Sequence, residues 1–186
     1  MRVATSVLAV ALALAPIDLA AQDGAEGERD SGAYFGAVFK LSEIIDQTAT
    51  FLGARAGLIH RERLGIGLGA YALLPRLDAP FLEDPINNFA YGGVEVEYTA
   101  WTTDRFHVAG MFLFGLGRRW RDQDNDDHDE IFVYEPTLRG EIELGGPFLL
   151  EVGGGYRFVT RITSRDTDNG DFSAPLAVVA FRLGPF

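Results

Sequence analysis

The 186-residue sequence has no cysteine, which excludes both a disulfide scaffold and a thiolate metal site. Beyond residue 21 it has no run of about 18 uninterrupted apolar residues, so no helix of the remaining chain is apolar enough to cross a membrane. A membrane role would have to be carried by strands. Histidine is scarce, at three residues, and after residue 21 serine is limited to Ser31, Ser42, Ser164 and Ser173, which leaves little material for nucleophilic catalysis. Positive charge is in deficit too: 16 Lys and Arg face 27 Asp and Glu, a net −11 that argues against binding nucleic acid or an anionic surface through bulk charge. The glycine triplet at 153–155 is followed by neither Lys nor Ser or Thr, so it is not a phosphate-binding loop.

What is present points to export. Residues 1–21 read as a secretory signal, with Arg2 as the positive start, an apolar run over 7–15, Pro16, and the small pair Ala20-Ala21 before the expected cut. Arg2 and Asp18 cancel, so the chain after Ala21 keeps the full −11. No cysteine follows the cut to take a lipid anchor. Residues 22–32 are polar and Gly-rich and read as a flexible leader, and 33–186 form a single domain.

From residue 33 onward the chain is a succession of period-two segments rich in Val, Leu, Phe, Tyr and Gly. Eight strands are expected, over 33–41, 49–60, 64–74, 89–101, 105–117, 131–144, 148–161 and 174–184. The second, fourth and sixth are followed by tight turns: Arg61-Glu62-Arg63, Thr102-Thr103-Asp104 and Gly145-Gly146-Pro147. The first, third, fifth and seventh are followed by longer polar stretches, SEIIDQT, PRLDAPFLEDPINN, RWRDQDNDDHDE and 162–173. Short turns at one end and long loops at the other predict an all-β, eight-stranded antiparallel up-and-down transmembrane β-barrel, with both termini on the short-turn side.

The two faces of the strands divide cleanly. In the sixth strand Phe132, Tyr134, Leu138, Ile142 and Leu144 share one face, and Glu135, Thr137, Arg139, Glu141 and Glu143 share the other. The third sets Leu64, Ile66, Leu68, Ala70 and Ala72 against Gly65, Gly67 and Gly69. Summed over the strands, the polar face holds Lys40, Arg55, Arg139, Arg157 and Arg182 against Glu95, Glu97, Glu135, Glu141, Glu143 and Glu151. Five cations meet six carboxylates. Buried charges are tolerable when paired, and eight strands leave an interior just wide enough for side chains, so a closed, salt-bridged lumen is expected. The interior glycines leave room for those long side chains, or simply let the strands bend. Alternation alone does not say which face is inward, and a soluble barrel would point the apolar face in. Export, turn asymmetry and charge balance together favour the membrane arrangement.

On that architecture residues 33–186 resemble the small eight-stranded outer-membrane barrels, a group that includes the transmembrane domain of outer-membrane protein A, the outer-membrane X proteins and opacity-type surface antigens. The resemblance implies an outer-membrane location among phospholipid and lipopolysaccharide, insertion by the barrel-assembly machinery, and a monomer. It also gives the terminal Phe186 a meaning, since members of the group end in an aromatic residue read during assembly. Here Gly184-Pro185 interrupts the alternation just before it.

Two loops carry candidate chemistry. Asp122, Asp124 and Asp126 alternate as oxygen ligands do in calcium loops, and are the candidate Ca2+ site. The match is partial, because Asp127 stands where the EF-hand glycine belongs and Val133 where its last glutamate belongs. Asp166, Asp168 and Asp171 echo the pattern more weakly. Some barrels of this group act on lipid A through a Ser–His pair. In this chain His60 and His107 fall at the short-turn end as interfacial residues, which leaves His128 with Ser164. Trp101 and Phe106 at one end, and Trp120 at the other, suit aromatic girdles. The expected function is a non-enzymatic barrel with a structural or surface-interaction role through acidic extracellular loops, without a resident cofactor. The alternative is a narrow channel or carrier for small or apolar solutes.

Overall fold

A computed structural model describes residues 31–44, 47–61, 63–74, 88–120, 128–161 and 169–184. The signal, most of the leader, Asp122, Asp124, Asp126, Ser164 and Phe186 lie outside the described residues. The elements are β1 (Ser31–Ile44), β2 (Gln47–His60), β3 (Leu64–Leu73), β4 (Asn88–Thr102), β5 (Phe106–Trp120), β6 (His128–Gly145), β7 (Phe148–Thr160), the 3-10 turn η1 (Gly170–Phe172) and β8 (Ala174–Leu183). The strands pair antiparallel in chain order and β8 closes onto β1, so the sheet is a closed eight-stranded barrel without a free edge. A membrane strand needs about 9–11 residues, and every strand here reaches that length.

The strands run further toward the long-loop end than the sequence pattern suggests. The β1–β2 ladder continues through Ser42↔Ala49 and Glu43↔Thr48 to Ile44↔Gln47, leaving only positions 45 and 46 between the two strands. The first connection is therefore short, contrary to the expected long loop. The β5–β6 ladder likewise extends to Trp120↔His128. The reason is the same in both places. Backbone pairing, once nucleated, continues through polar residues, because hydrogen bonds of the ladder do not depend on side-chain polarity.

At the short-turn end the chain reverses tightly, and positive φ appears where it must: Arg61 at 50°, Gly145 at 108° and Gly146 at 60°. Bulges at Thr99/Trp101 and Glu143/Gly145 adjust the register beside two of these turns.

Which way the faces point is settled by burial. Leu58, Leu68 and Leu138 are 63, 66 and 63% exposed, whereas Arg55, Arg139 and Arg157 are 1, 1 and 0% exposed. The outer wall is an apolar belt of Leu, Val, Ile and Phe, and aromatic pairs such as Phe112–Phe114 (4.3 Å) and Tyr156–Phe158 (4.6 Å) lie on it. A water-soluble barrel has the opposite arrangement. At the short-turn end Trp101 and Phe106 pack edge to face at 5.8 Å, a geometry suited to an interfacial girdle. The side chain of Trp120 lies outside the described residues.

The interior glycines meet more than Arg and Glu. A Cβ on Gly53 would lie 2.2 Å from Tyr71 Cδ1, and one on Gly69 would lie 2.3 Å from Glu95 Oε1. Gly57 and Gly67 are adjacent across β2 and β3, and a Cβ on either would also crowd the Tyr34 hydroxyl. These positions make space for Tyr34 and Tyr71 and for close strand approach.

Candidate functional site: the barrel interior

The lumen is layered. Nearest the short turns lies an ionic layer whose charges come from five strands. Arg55 of β2 pairs with Glu97 of β4 (Nη1–Oε2 3.2 Å) and with Glu151 of β7. Arg139 of β6 donates to Glu151 (Nη1–Oε2 2.9 Å) and stands 3.5 Å from Glu97. Arg182 of β8 donates to Glu97 (Nη1–Oε1 2.7 Å) and to Glu141 (Nη2–Oε2 3.2 Å). Three guanidinium groups and three carboxylates thus balance, which is the condition under which buried charge is tolerated. Met111 Sδ accepts from both Arg55 and Arg139. Tyr34 lies on the short-turn side of the layer, its ring centre 5.4 Å from Arg55 Cζ and 5.5 Å from Arg182 Cζ.

Above this layer is a mixed one. Lys40 of β1 pairs with Glu135 of β6, donates to the Tyr91 hydroxyl at 3.2 Å, and sits 3.3 Å from the centre of the Tyr71 ring. Tyr91 donates to Glu135 at 2.6 Å, and Tyr71 donates to Glu95. Glu95 is also 3.9 Å from Arg55, so it links the two layers.

The long-loop end of the lumen is apolar. Phe51, Phe89, Ile131, Val133 and Val159 are buried there, and Phe172 of η1 joins them, its ring 5.6 Å from that of Phe89. The sequence reading gave the interior a single ionic character, and this apolar third layer is what it missed. Arg157 belongs to this layer instead of the ionic one. Its Nε donates to the Phe172 carbonyl at 2.9 Å and its Nη2 to the Glu43 carbonyl at 2.8 Å, with the Phe51 ring 4.8 Å away. Among the described residues it has no carboxylate partner. Glu143 also departs from the expected network. Its side chain is one quarter exposed at the short-turn rim and meets His107 (Oε1–Nε2 2.9 Å). His107 faces inward and is buried, not interfacial, while His60 is exposed and bonded to Ser31 (Nδ1–Oγ 2.9 Å).

Lys40, Arg55, Glu95, Glu97, Glu135, Arg139, Glu141, Glu151 and Arg182 are therefore brought together in two adjoining layers, and Arg157 and Glu143 stand apart from them. Tyr34, Tyr71 and Met111 complete the set. Their inward parity was available from the sequence, but an apolar or aromatic residue at such a position carries no charge to draw notice.

No protein-family model matches the chain, and no curated protein matches it in sequence. Solved structures do match in fold. Neisserial surface protein A superposes with a TM-score of 0.58 at 12% identity, over 86% of this chain and 98% of that one. The N-terminal β-barrel domain of Pseudomonas aeruginosa OprF gives 0.59 at 6% identity, over 83% and 97%. The chain has the fold of the small eight-stranded outer-membrane β-barrels.

Proposed function

We propose that the protein is a non-enzymatic outer-membrane barrel with a closed lumen, whose role is structural or surface-interactive and is exercised through the acidic loops of its long-loop end. One observation carries this reading: apolar side chains of every strand are turned outward while Lys40, four arginines and five glutamates are buried inside. Such a wall is stable against acyl chains and unstable against water. The interior supports closure, since side chains from all eight strands meet across it and the ionic layer leaves its charges matched. In this reading phospholipid and lipopolysaccharide surround a monomer, the barrel-assembly machinery reads Phe186, and Asp122, Asp124 and Asp126 form the candidate Ca2+ loop.

The deciding experiment is fractionation followed by gel migration with and without boiling. Recovery from detergent-solubilised outer membranes, with faster migration of the unboiled protein, is the expected result, and recovery in the soluble fraction overturns the assignment. Closure is tested separately in planar bilayers, where no stable conductance is expected. A single-channel conductance with ion selectivity would replace it with the narrow-channel reading. A lipid A mass change that disappears in His128→Ala would make the protein an enzyme.

A further inference from the structure

Phe172 is fully buried although it belongs to the connection before β8 and not to a strand. Its ring packs against Phe89, and its carbonyl oxygen accepts from Arg157 Nε at 2.9 Å. The covalent path from that ring to that oxygen runs through Cβ, Cα and the carbonyl carbon. What η1 inserts into the lumen is thus a 3-phenylpropanoyl group: an aromatic ring, a two-carbon spacer and an oxygen acceptor.

The seat would accept a charged version of this group better than the neutral one it holds. Arg157 is fully buried, and among the described residues its hydrogen-bond partners are two carbonyl oxygens, with Nη1 left without one. A guanidinium is always ionised, and its bond to a carboxylate is stronger than its bond to a neutral carbonyl. A buried guanidinium with one unpartnered nitrogen beside an aromatic wall of Phe51 and Phe89 suits an arylalkyl anion.

We propose that the long-loop end of the lumen is a binding cup for small arylalkyl carboxylates, of which 3-phenylpropanoate is the simplest, and that Phe172 is a built-in competitor seated in it. The ligand's ring replaces that of Phe172 against Phe89, its carboxylate takes Nε of Arg157 in place of the Phe172 carbonyl, and η1 leaves the mouth. Lys40, Tyr71, Tyr91 and Glu135 form the floor of the cup. Binding there goes beyond the structural role and does not depend on whether the lumen conducts.

The test is calorimetric titration of 3-phenylpropanoate into the full folded chain, with gel heat-modifiability as the check that each variant is folded. Phe172→Ala removes the competitor and is expected to bind at least about tenfold tighter than the unsubstituted chain. The neutral 3-phenylpropan-1-ol is expected to bind at least about tenfold more weakly than the acid, and Arg157→Gln is expected to abolish that preference. If either variant fails to fold, the acid-against-alcohol comparison on the unsubstituted chain decides. A Phe172→Ala chain that binds the acid no better, or acid and alcohol that bind alike, overturns the proposal.

Discussion

Arg182 and Glu97 join β8 to β4 across the full width of the barrel, with Nη1 and Oε1 2.7 Å apart and neither side chain exposed to solvent. Removing Arg182 takes one of three cations from Glu97 and leaves Glu141 without a cation partner among the described residues, and an uncompensated buried charge costs about 3–5 kcal/mol. Arg182→Met is expected to lower unfolding stability by that order. Glu97 also faces Arg55 and Arg139, so Glu97→Leu should cost at least as much. Urea unfolding from lipid vesicles measures both, and a loss below about 1 kcal/mol for either would show that the pair is not a buried tie.

Lys40 offers a cleaner test of charge pairing, because its carboxylate partner is Glu135 and the two lie between Tyr71 and Tyr91. Lys40→Met should destabilise by about 3–5 kcal/mol. Adding Glu135→Gln neutralises the stranded carboxylate, and the double variant is expected to recover part of that loss. Additive losses in the double-mutant cycle would contradict the coupling.

Two glycines make opposite predictions. Alanine at Gly53 would place Cβ 2.2 Å from the Tyr71 ring and 2.5 Å from the Ala70 carbonyl, whereas at Gly110 nothing lies within 4 Å. Gly53→Ala is expected to cost about 1–3 kcal/mol or to reduce the folded yield. Gly110→Ala is expected to be neutral or to stabilise by under about 1 kcal/mol, through the unfolded chain alone. Refolding yield into detergent distinguishes them.

The outward face can be interrogated at Leu68, which is 66% exposed midway along β3. In a bilayer Leu68→Arg should cost about 2–4 kcal/mol, because the guanidinium is forced toward acyl chains. On a barrel surrounded by water the same change would be close to neutral. Comparative unfolding from vesicles gives the answer.

Period-two alternation made the strands and their faces legible before any coordinates, since a strand has only two sides and a one-residue slip exchanges them. Strand six shows the limit. Ile131, Val133, Glu135 and Arg139 all share inward parity and are all buried, yet two are apolar and two charged. Parity assigns a side and is silent about height along the barrel axis, so the ionic and apolar layers could not be separated. For the same reason parity groups Arg157 with the carboxylates. Its real neighbours, Phe51, Phe89 and the Phe172 carbonyl, come from β2, β4 and the segment before β8, and no local pattern connects them. The ends of β1 and β6 were underestimated because Ser42, Glu43, Asp129 and Glu130 look like loop residues, although the ladder runs through them.

Among the described residues the closing seam between β1 and β8 is the shortest in the wall, with seven residue pairs from Phe35↔Leu183 to Leu41↔Ala177, against fifteen between β5 and β6. The stave held by the fewest rungs is the one that parts at least expense. Sideways breathing of the cylinder is therefore expected where β1 meets β8, and of the Ala37 to Leu41 amides the alternate ones that bond to β8, not those that bond to β2, should trade with solvent first.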